Sequence, residues 1–181
     1  MLFATPRLVV RPFGRDDASA IIPFWGDADT VRFIGDGEPW VSDHVSAEAC
    51  IERTRAYYQR HPGYGIFAVE LKAGARLAGH VLLKPLEPGE VEVGWLLDRR
   101  YRGLGIATEA ADGMLGYGFS RLRLPAIVAV MDPENSASRR VAEGLGMAYR
   151  GTRPERGTTV AWYRMGREAY LGTGRRQKAM S

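Results

Sequence analysis

Apolar and polar positions alternate with period two over residues 91–97: Val91, Val93, Trp95 and Leu97 share one face and Glu92 points the other way. That is the pattern of a half-buried strand. Asp98 to Tyr101 interrupts the run, and Gly103 and Gly105 supply a turn. Ile106, Ala107, Ala110, Ala111, Met114, Leu115 and Phe119 then recur at helical spacing. Strand, glycine turn and helix thus form one unit. The start of such a helix leaves backbone N–H groups without intrahelical partners, and together with the macrodipole they suit a pyrophosphate.

The same reading predicts an opening strand over 5–13, ending at Gly14. A helix through Ala20, Ile21, Phe24 and Trp25 follows, capped by Asp16 or Asp17 and shortened or bent by Pro23. Residues 26–43 read as a long irregular segment, and 46–60 as a helix ended by His61-Pro62-Gly63. Strands over 64–71 and 76–84, joined by a hairpin turn at 72–75, and a second turn at 86–89 bring the chain to the organising strand. Three antiparallel strands therefore precede the glycine turn. After the helix, the wholly apolar 126–131 reads as a central strand joined by a right-handed parallel crossover. A short helix over 136–144 and a closing strand pair, 149–153 and 158–165, complete the pattern; after Tyr170 no apolar periodicity remains.

Composition narrows the class. With 181 residues, 45% of them hydrophobic and 25% charged, the chain suits one core: a single domain over 1–171 and a flexible basic tail over 172–181. The formal charge of +4 and the pI near 9.4 suggest nucleic acid at first sight. Arg175, Arg176 and Lys178 lie in the tail, however, and setting them aside leaves 22 basic against 21 acidic residues. A near-neutral folded part argues against a broad nucleic-acid face and leaves room for a local phosphate cluster. One cysteine, Cys50, cannot form an intramolecular disulfide, which points to a reducing compartment, and its helical setting favours a core role over a nucleophile. The sequence lacks an apolar run of about 20 residues and a signal-like start, so a cytoplasmic protein without membrane contact is expected. His44, His61 and His80 show no metal-ligand spacing, and His80, inside a strand, reads as buried and hydrogen-bonded.

The glycine turn excludes two phosphate-binding classes. A nucleoside-triphosphatase loop closes on Gly-Lys-Ser/Thr, and this one closes on Ile106-Ala107-Thr108; a dinucleotide fingerprint needs a third glycine where Thr108 stands. Arg100-Tyr101-Arg102-Gly103-Leu104-Gly105 instead resembles the Arg/Gln-x-x-Gly-x-Gly/Ala signature of the GNAT acetyltransferases. Residues 101–110 and the Thr5-Pro6-Arg7-Leu8 start are similar to the ribosomal-protein N-terminal acetyltransferase branch. Asn135-Ser136-Ala137-Ser138 and Leu145-Gly146-Met147 resemble two further family strings, in family order.

The resemblance spans residues 5–170. It implies an α/β, three-layer αβα fold whose mixed, mostly antiparallel sheet of about seven strands splits like a V between two parallel strands. It also implies acetyl-CoA as cosubstrate in the opening, attacked directly by a primary amine. By family position, the backbone of Leu96 and Leu97 would pair with the pantetheine arm. The amides of Arg102, Gly103, Leu104, Gly105, Ile106 and Ala107 would hold the pyrophosphate, and Arg99, Arg100, Arg102, Arg139 and Arg140 are available for phosphates. Glu92 is either the general base or a solvated, ion-paired glutamate. Asn135 either bonds the cofactor arm or caps a helix. Ser138 either protonates the leaving thiolate or is a small helix residue. The tyrosine acid that many members place seven residues after the asparagine is Ala142 here, so Ser138, Tyr163 or unassisted departure of the thiol would replace it. Phe33, Trp40 and Trp95 either line the acceptor pocket or fill the core, and Asp27, Asp29, Asp36, Glu38 and Asp43 either face a cationic acceptor or solubilise a loop. The expected acceptor is a protein N-terminus or a small amine, and the expected assembly a monomer or homodimer. A non-catalytic acyl-CoA-binding regulatory module and RNA or ribosome association through residues 175–178 are the competing readings.

Overall fold

In the computed structural model, which describes residues 1–86, 89–155 and 157–172, eight strands form one sheet. They are β1 (Phe3–Ala4), β2 (Leu8–Arg11), β3 (Gly65–Leu71), β4 (Arg76–Leu86), β5 (Glu90–Leu97), β6 (Ala126–Met131), β7 (Ala148–Glu155) and β8 (Thr158–Gly166). The order across the sheet is β1-β2-β3-β4-β5-β6-β8-β7, and every neighbouring pair is antiparallel except β5 and β6, which are parallel. Helices α1 (Ala18–Trp25), α2 (Ala28–Val31) and α3 (His44–Arg60) cover one face. Helices α4 (Ile106–Ser120), α5 (Ser136–Gly144) and α6 (Arg167–Gly172) cover the other.

Two apolar clusters follow from this layering. Ile21, Phe24, Trp25, Ala47, Ile51, Ala68 and Leu96 pack together beneath α1 and α3. Val69, Val81, Val93, Leu97, Ala111, Met114, Leu115, Phe119, Ile127, Ala142 and Tyr163 pack beneath α4 and α5. The period-two reading of β5 is thereby met: Val93 and Leu97 belong to the α4 side with Val91 and Trp95 packed against it, and Leu96 belongs to the α1 side. Because β5 is straddled by both cores, its unpaired stretch carries groups to both faces.

Three expectations are corrected. The opening strand expected over 5–13 is only β2, and a further short strand, β1, precedes it, because Thr5-Pro6-Arg7 makes a tight turn between them: Thr5 N–H donates to Leu8 C=O (2.9 Å), and Leu8 N–H donates to Thr5 Oγ1 (3.1 Å). This adds the eighth strand to an expected seven. Asp17 makes no side-chain cap on α1; its carboxylate instead accepts from Gly14 N–H (2.7 Å) and from Arg11 Nη1 (2.7 Å). Helix α3 begins two residues earlier than expected, because Asp43 accepts from Ser46 N–H (2.8 Å) and Ser46 Oγ accepts from Asp43 N–H (3.0 Å), a reciprocal cap. The centre of the 86–89 turn, Arg156 of the last hairpin and residues 173–181 of the expected basic tail lie outside the described residues.

Candidate active site

The parallel pairing of β5 and β6 has one partner pair, Glu92 opposite Val128. From Val93 onward β5 continues its ladder with β4, while β6 continues its ladder with β8. The sheet therefore opens on the C-terminal side of Glu92. The opening leaves one edge of β5 available to an extended ligand. Asp98 N–H donates to Ala78 C=O (2.9 Å), so by alternation the peptide groups of Leu96 face β4 and those of Trp95 and Leu97 face the opening. A Cβ on Gly79 would collide with Leu96 C=O, which agrees with that direction.

At the end of β5 the chain enters a 3-10 turn, Arg99–Tyr101, capped by the buried Asp98, whose carboxylate accepts from Arg100 N–H (2.9 Å) and Arg100 Nη2 (2.6 Å). Burial alone would raise Asp98, but these bonds outweigh it and hold the group below its ordinary range. Gly103 and Gly105 follow with φ of +74° and +75°, a left-handed conformation that side chains adopt at a cost, and Gly105 is the residue before α4. Arg102 N–H is consumed by Arg99 C=O (3.3 Å), whereas the first bond into the helix runs from Glu109 N–H to Gly105 C=O (3.0 Å). Among the described residues, the amides of residues 103–108 donate to no protein acceptor. A Cβ built on Gly103 meets nothing within 4 Å, so the space beside that residue is open. Six unpaired amides at the positive end of a fifteen-residue helix fit a diphosphate.

A clamp that the sequence reading did not foresee holds this turn. Thr5 Oγ1 (2.5 Å), Arg7 N–H (2.9 Å) and Arg7 Nε (2.5 Å) all donate to the Glu109 carboxylate, and Arg7 Nη1 donates to Leu104 C=O (2.8 Å). Burial would lift Glu109, but the three donors prevail and hold it below its ordinary range. The β1–β2 turn is thus tied across the glycine turn, and Arg7 adds a cation beside it.

The predicted phosphate arginines are mostly engaged. Arg99 pairs with Asp29 (3.2 Å) and Asp27 (3.7 Å), and Arg100 pairs with Asp98. Arg102 donates to Leu97 C=O (3.2 Å) and Thr30 Oγ1 (2.8 Å), lashing α2 to the end of β5. Arg139 donates to the Tyr163 hydroxyl (3.3 Å). Arg140 is exposed and makes no hydrogen bond or ion pair among the described residues. Asn135 caps α5 by accepting from Ser138 N–H (3.0 Å), and Ser138, half-buried, makes no hydrogen bond through its hydroxyl among the described residues. Ala142 is fully buried in the α4-side core. Tyr163 is also buried, and its hydroxyl donates to Glu143 (3.1 Å), so it is tied to α5.

Glu92 points to the α1/α3 face, opposite Lys84 on β4, and Lys84 Nζ lies 5.0 Å over the Tyr57 ring. A groove of about 260 Å³ on this face is lined by Cys50, Arg53, Thr54, Tyr57, Arg60, Ile66 and Lys84. Nearby, His80 is buried at the centre of an aromatic group: Trp25 Nε1 donates to His80 Nδ1 (2.9 Å), and the Trp40 ring stacks on it at 5.9 Å. Trp40 is therefore part of the packing at this face, and Trp95 packs against the α4-side core. Burial drives His80 down to about 3, so it is neutral throughout the physiological range. Asp27 and Asp29 hold Arg99, and Asp43 caps α3, so these three loop acids have structural partners. Among the described residues, no cluster of three or more His, Cys, Asp or Glu could hold a metal ion, and no helix is long and apolar enough to cross a membrane.

Comparison with known proteins agrees with this geometry. Residues 7–148 match the family model of the acetyltransferase (GNAT) domain. The chain is 31% identical over 154 residues to a protein named as the uncharacterized N-acetyltransferase YnaD of Bacillus subtilis (strain 168), covering 83% of this chain and 85% of the relative. Among solved structures, a GNAT-family acetyltransferase from Bacillus anthracis is similar at 28% identity with a TM-score of 0.76, covering 92% of this chain and 98% of that one. RimL, a ribosomal L7/L12 α-N-protein acetyltransferase solved with coenzyme A, shares the fold at 17% identity and a TM-score of 0.75, over 91% of this chain and 97% of its own. The V-shaped opening, the amide-lined glycine turn and these matches together place the chain in the GNAT family of acetyl-CoA-dependent acetyltransferases.

Proposed function

We propose that this protein transfers the acetyl group of acetyl-CoA directly to a primary amine, either a protein N-terminus or a small amine, with Glu92 as general base. The observation that carries the reading is the row of unpaired amides at residues 103–108, set at the end of the strand that bears Glu92. The diphosphate would rest on these amides, with Arg7 beside the turn and Arg140 on α5 as further cations. The amide-bearing arm would run along the open edge of β5, where Trp95 and Leu97 rather than Leu96 present peptide groups; the Leu97 carbonyl already accepts from Arg102. Bound in this way, acetyl-CoA supplies an activated thioester, and the chain supplies position and proton transfer.

An amine attacks only when neutral, so a carboxylate that receives its proton, directly or through water, raises the reactive fraction. Glu92 stands at the point where β5 and β6 part, on the face away from α4. As C–N forms and C–S breaks, the thiolate takes up a proton; Ser138 is the donor this site offers, because the Tyr163 hydroxyl is turned to Glu143. A thiol is acidic enough that this donor adds little.

The test is to incubate the protein with acetyl-CoA and separate panels of polyamines, amino acids, aminoglycosides and short peptides with free N-termini, following thiol release. Wild type should release thiol with at least one panel. Glu92→Gln should lower kcat on the order of 100-fold while retaining coenzyme A affinity. Equal rates for Glu92→Gln and wild type from pH 6 to 9 would remove Glu92 as base.

A further inference from the structure

Helix α3 sorts its charges by side. Cys50, Arg53, Thr54, Tyr57 and Arg60 recur at helical spacing and, with Ile66 of β3 and Lys84 of β4, line the groove of about 260 Å³ between the helix and the sheet. The two acids of the helix stand elsewhere: Glu48 lies by His44 (3.4 Å), Glu52 pairs with Arg15 (2.8 Å) and Arg55 (3.8 Å), and both line a separate depression with Arg15 and Ile51. The groove lining therefore holds cations and no carboxylate among the described residues. Arg53 and Arg60, both exposed, form no ion pair among the described residues, and Arg60 Nε donates only within its own helix, to Ala56 C=O (3.4 Å). A plain solvated face explains their exposure but not their separation from Arg55, which has its acid. Cys50 supplies no counter-charge, because burial pushes its thiol up and keeps it protonated at neutral pH.

The groove adjoins the proposed base. Lys84 stands opposite Glu92 in the β4–β5 ladder, one strand spacing or about 5 Å away, and its ammonium lies 5.0 Å over the Tyr57 ring in the groove wall. Tyr57 in turn stacks on His61 at 4.3 Å, which steadies that wall. The path from Glu92 to Arg53 and Arg60 thus crosses Lys84 and Tyr57 without leaving the face. Acids nearby have partners of their own. Arg153 of β7 reaches Glu90 on β5 (2.6 Å), which curls the last hairpin toward this face, while Asp27 and Asp29 hold Arg99 and Asp43 caps α3. Pockets that enclose a whole ligand hold roughly 300–1,000 Å³. At about 260 Å³ the groove suits one substituent of a larger molecule, and guanidinium groups meet carboxylate or phosphate oxygens with paired donors.

We propose that this groove binds an anionic group of the acceptor, a carboxylate or phosphate taken by Arg53 and Arg60 while the amine of the same molecule meets Glu92. The inference rests on the acetyltransferase reading above and deepens it: a negative charge beside the amine selects the acceptor, and polyamines and aminoglycosides are disfavoured. Three matched pairs isolate that charge: glutamate against glutamine, O-phosphoethanolamine against ethanolamine, and a short peptide with glutamate against the same peptide with glutamine at its second position. The measurement is the kcat/KM ratio within each pair, by thiol release, in wild type, Arg53→Gln, Arg60→Gln and the double variant, with thermal unfolding as the folding control. Wild type should favour the anionic member of at least one pair, and the pair that responds tells carboxylate from phosphate. The double variant should cut that preference about tenfold, through the KM of the anionic member rather than kcat. A wild type that favours the anionic member of no pair, or a preference unaltered in the double variant, overturns the anion site. So does thiol release with the panels above but with none of the anionic members. Thiol release with no acceptor at all would instead overturn the acetyltransferase reading beneath it.

Discussion

Single residues set the chemistry, and Gly103 is the most exposed to test. Its φ of +74° disfavours any side chain, and a Cβ there would enter open space beside the free amides. Gly103→Val should weaken coenzyme A binding at least tenfold by calorimetry, and equal affinity would show that the diphosphate is held elsewhere. His80 supplies a second prediction, in pH. Its folded pKa of about 3 lies below the ordinary 6.5, so the unfolded chain binds the extra proton first. The stability it permits is complete above pH 6.5 and is lost as pH falls toward 3, since protonation would also break the bond from Trp25. Between pH 7 and pH 5 the unfolding free energy should drop by about 2 kcal/mol, measured by urea titration. A flat profile over that interval would contradict the buried neutral ring. The place of His80 was legible from the strand pattern, and the indole that satisfies it was not, because Trp25 lies 55 positions away on another element.

At the scale of elements, the sequence reading located the strand, turn and helix of the site, because each carries its own periodicity or glycine pair. It missed how distant segments brace them. Arg7 and Glu109 are ordinary charges in sequence, and the only signal was the family-like string around Thr5; in the structure they join the β1–β2 turn to α4 and to Leu104. Arg99, Arg100 and Arg102 read as a phosphate cluster because arginines beside a glycine turn look free. Asp29 and Thr30, 70 and 72 positions away, take up Arg99 and Arg102 only once the chain has folded, whereas Asp98, which holds Arg100, and Leu97, which accepts from Arg102, are near neighbours in sequence. The brace has a kinetic consequence. Arg7→Ala should raise the KM for acetyl-CoA about three- to tenfold with little change in kcat, because the variant loosens the turn and removes a nearby cation. Unchanged KM would assign the clamp to stability alone.

For the whole molecule, one sheet with two cores puts the proposed phosphate site and the proposed acceptor face on opposite sides of β5. The helix that ends the phosphate site lies on one side, and Glu92, the α3 groove and the last hairpin lie on the other. The parting of β5 from β6 is where a ligand would pass between the faces. The general αβα plan was readable from the alternation of strands with helices. The curl of the last hairpin onto Glu90 was not, since it depends on register across four strands. The central claim is that the amides of residues 103–108 grip the diphosphate of coenzyme A. It is tested most directly by following backbone amide resonances of the full chain as coenzyme A is added. The account predicts that Gly103, Leu104, Gly105 and Ile106 show the largest shifts and saturate with the binding isotherm. Saturating shifts centred on another segment, with these four unmoved, would contradict it.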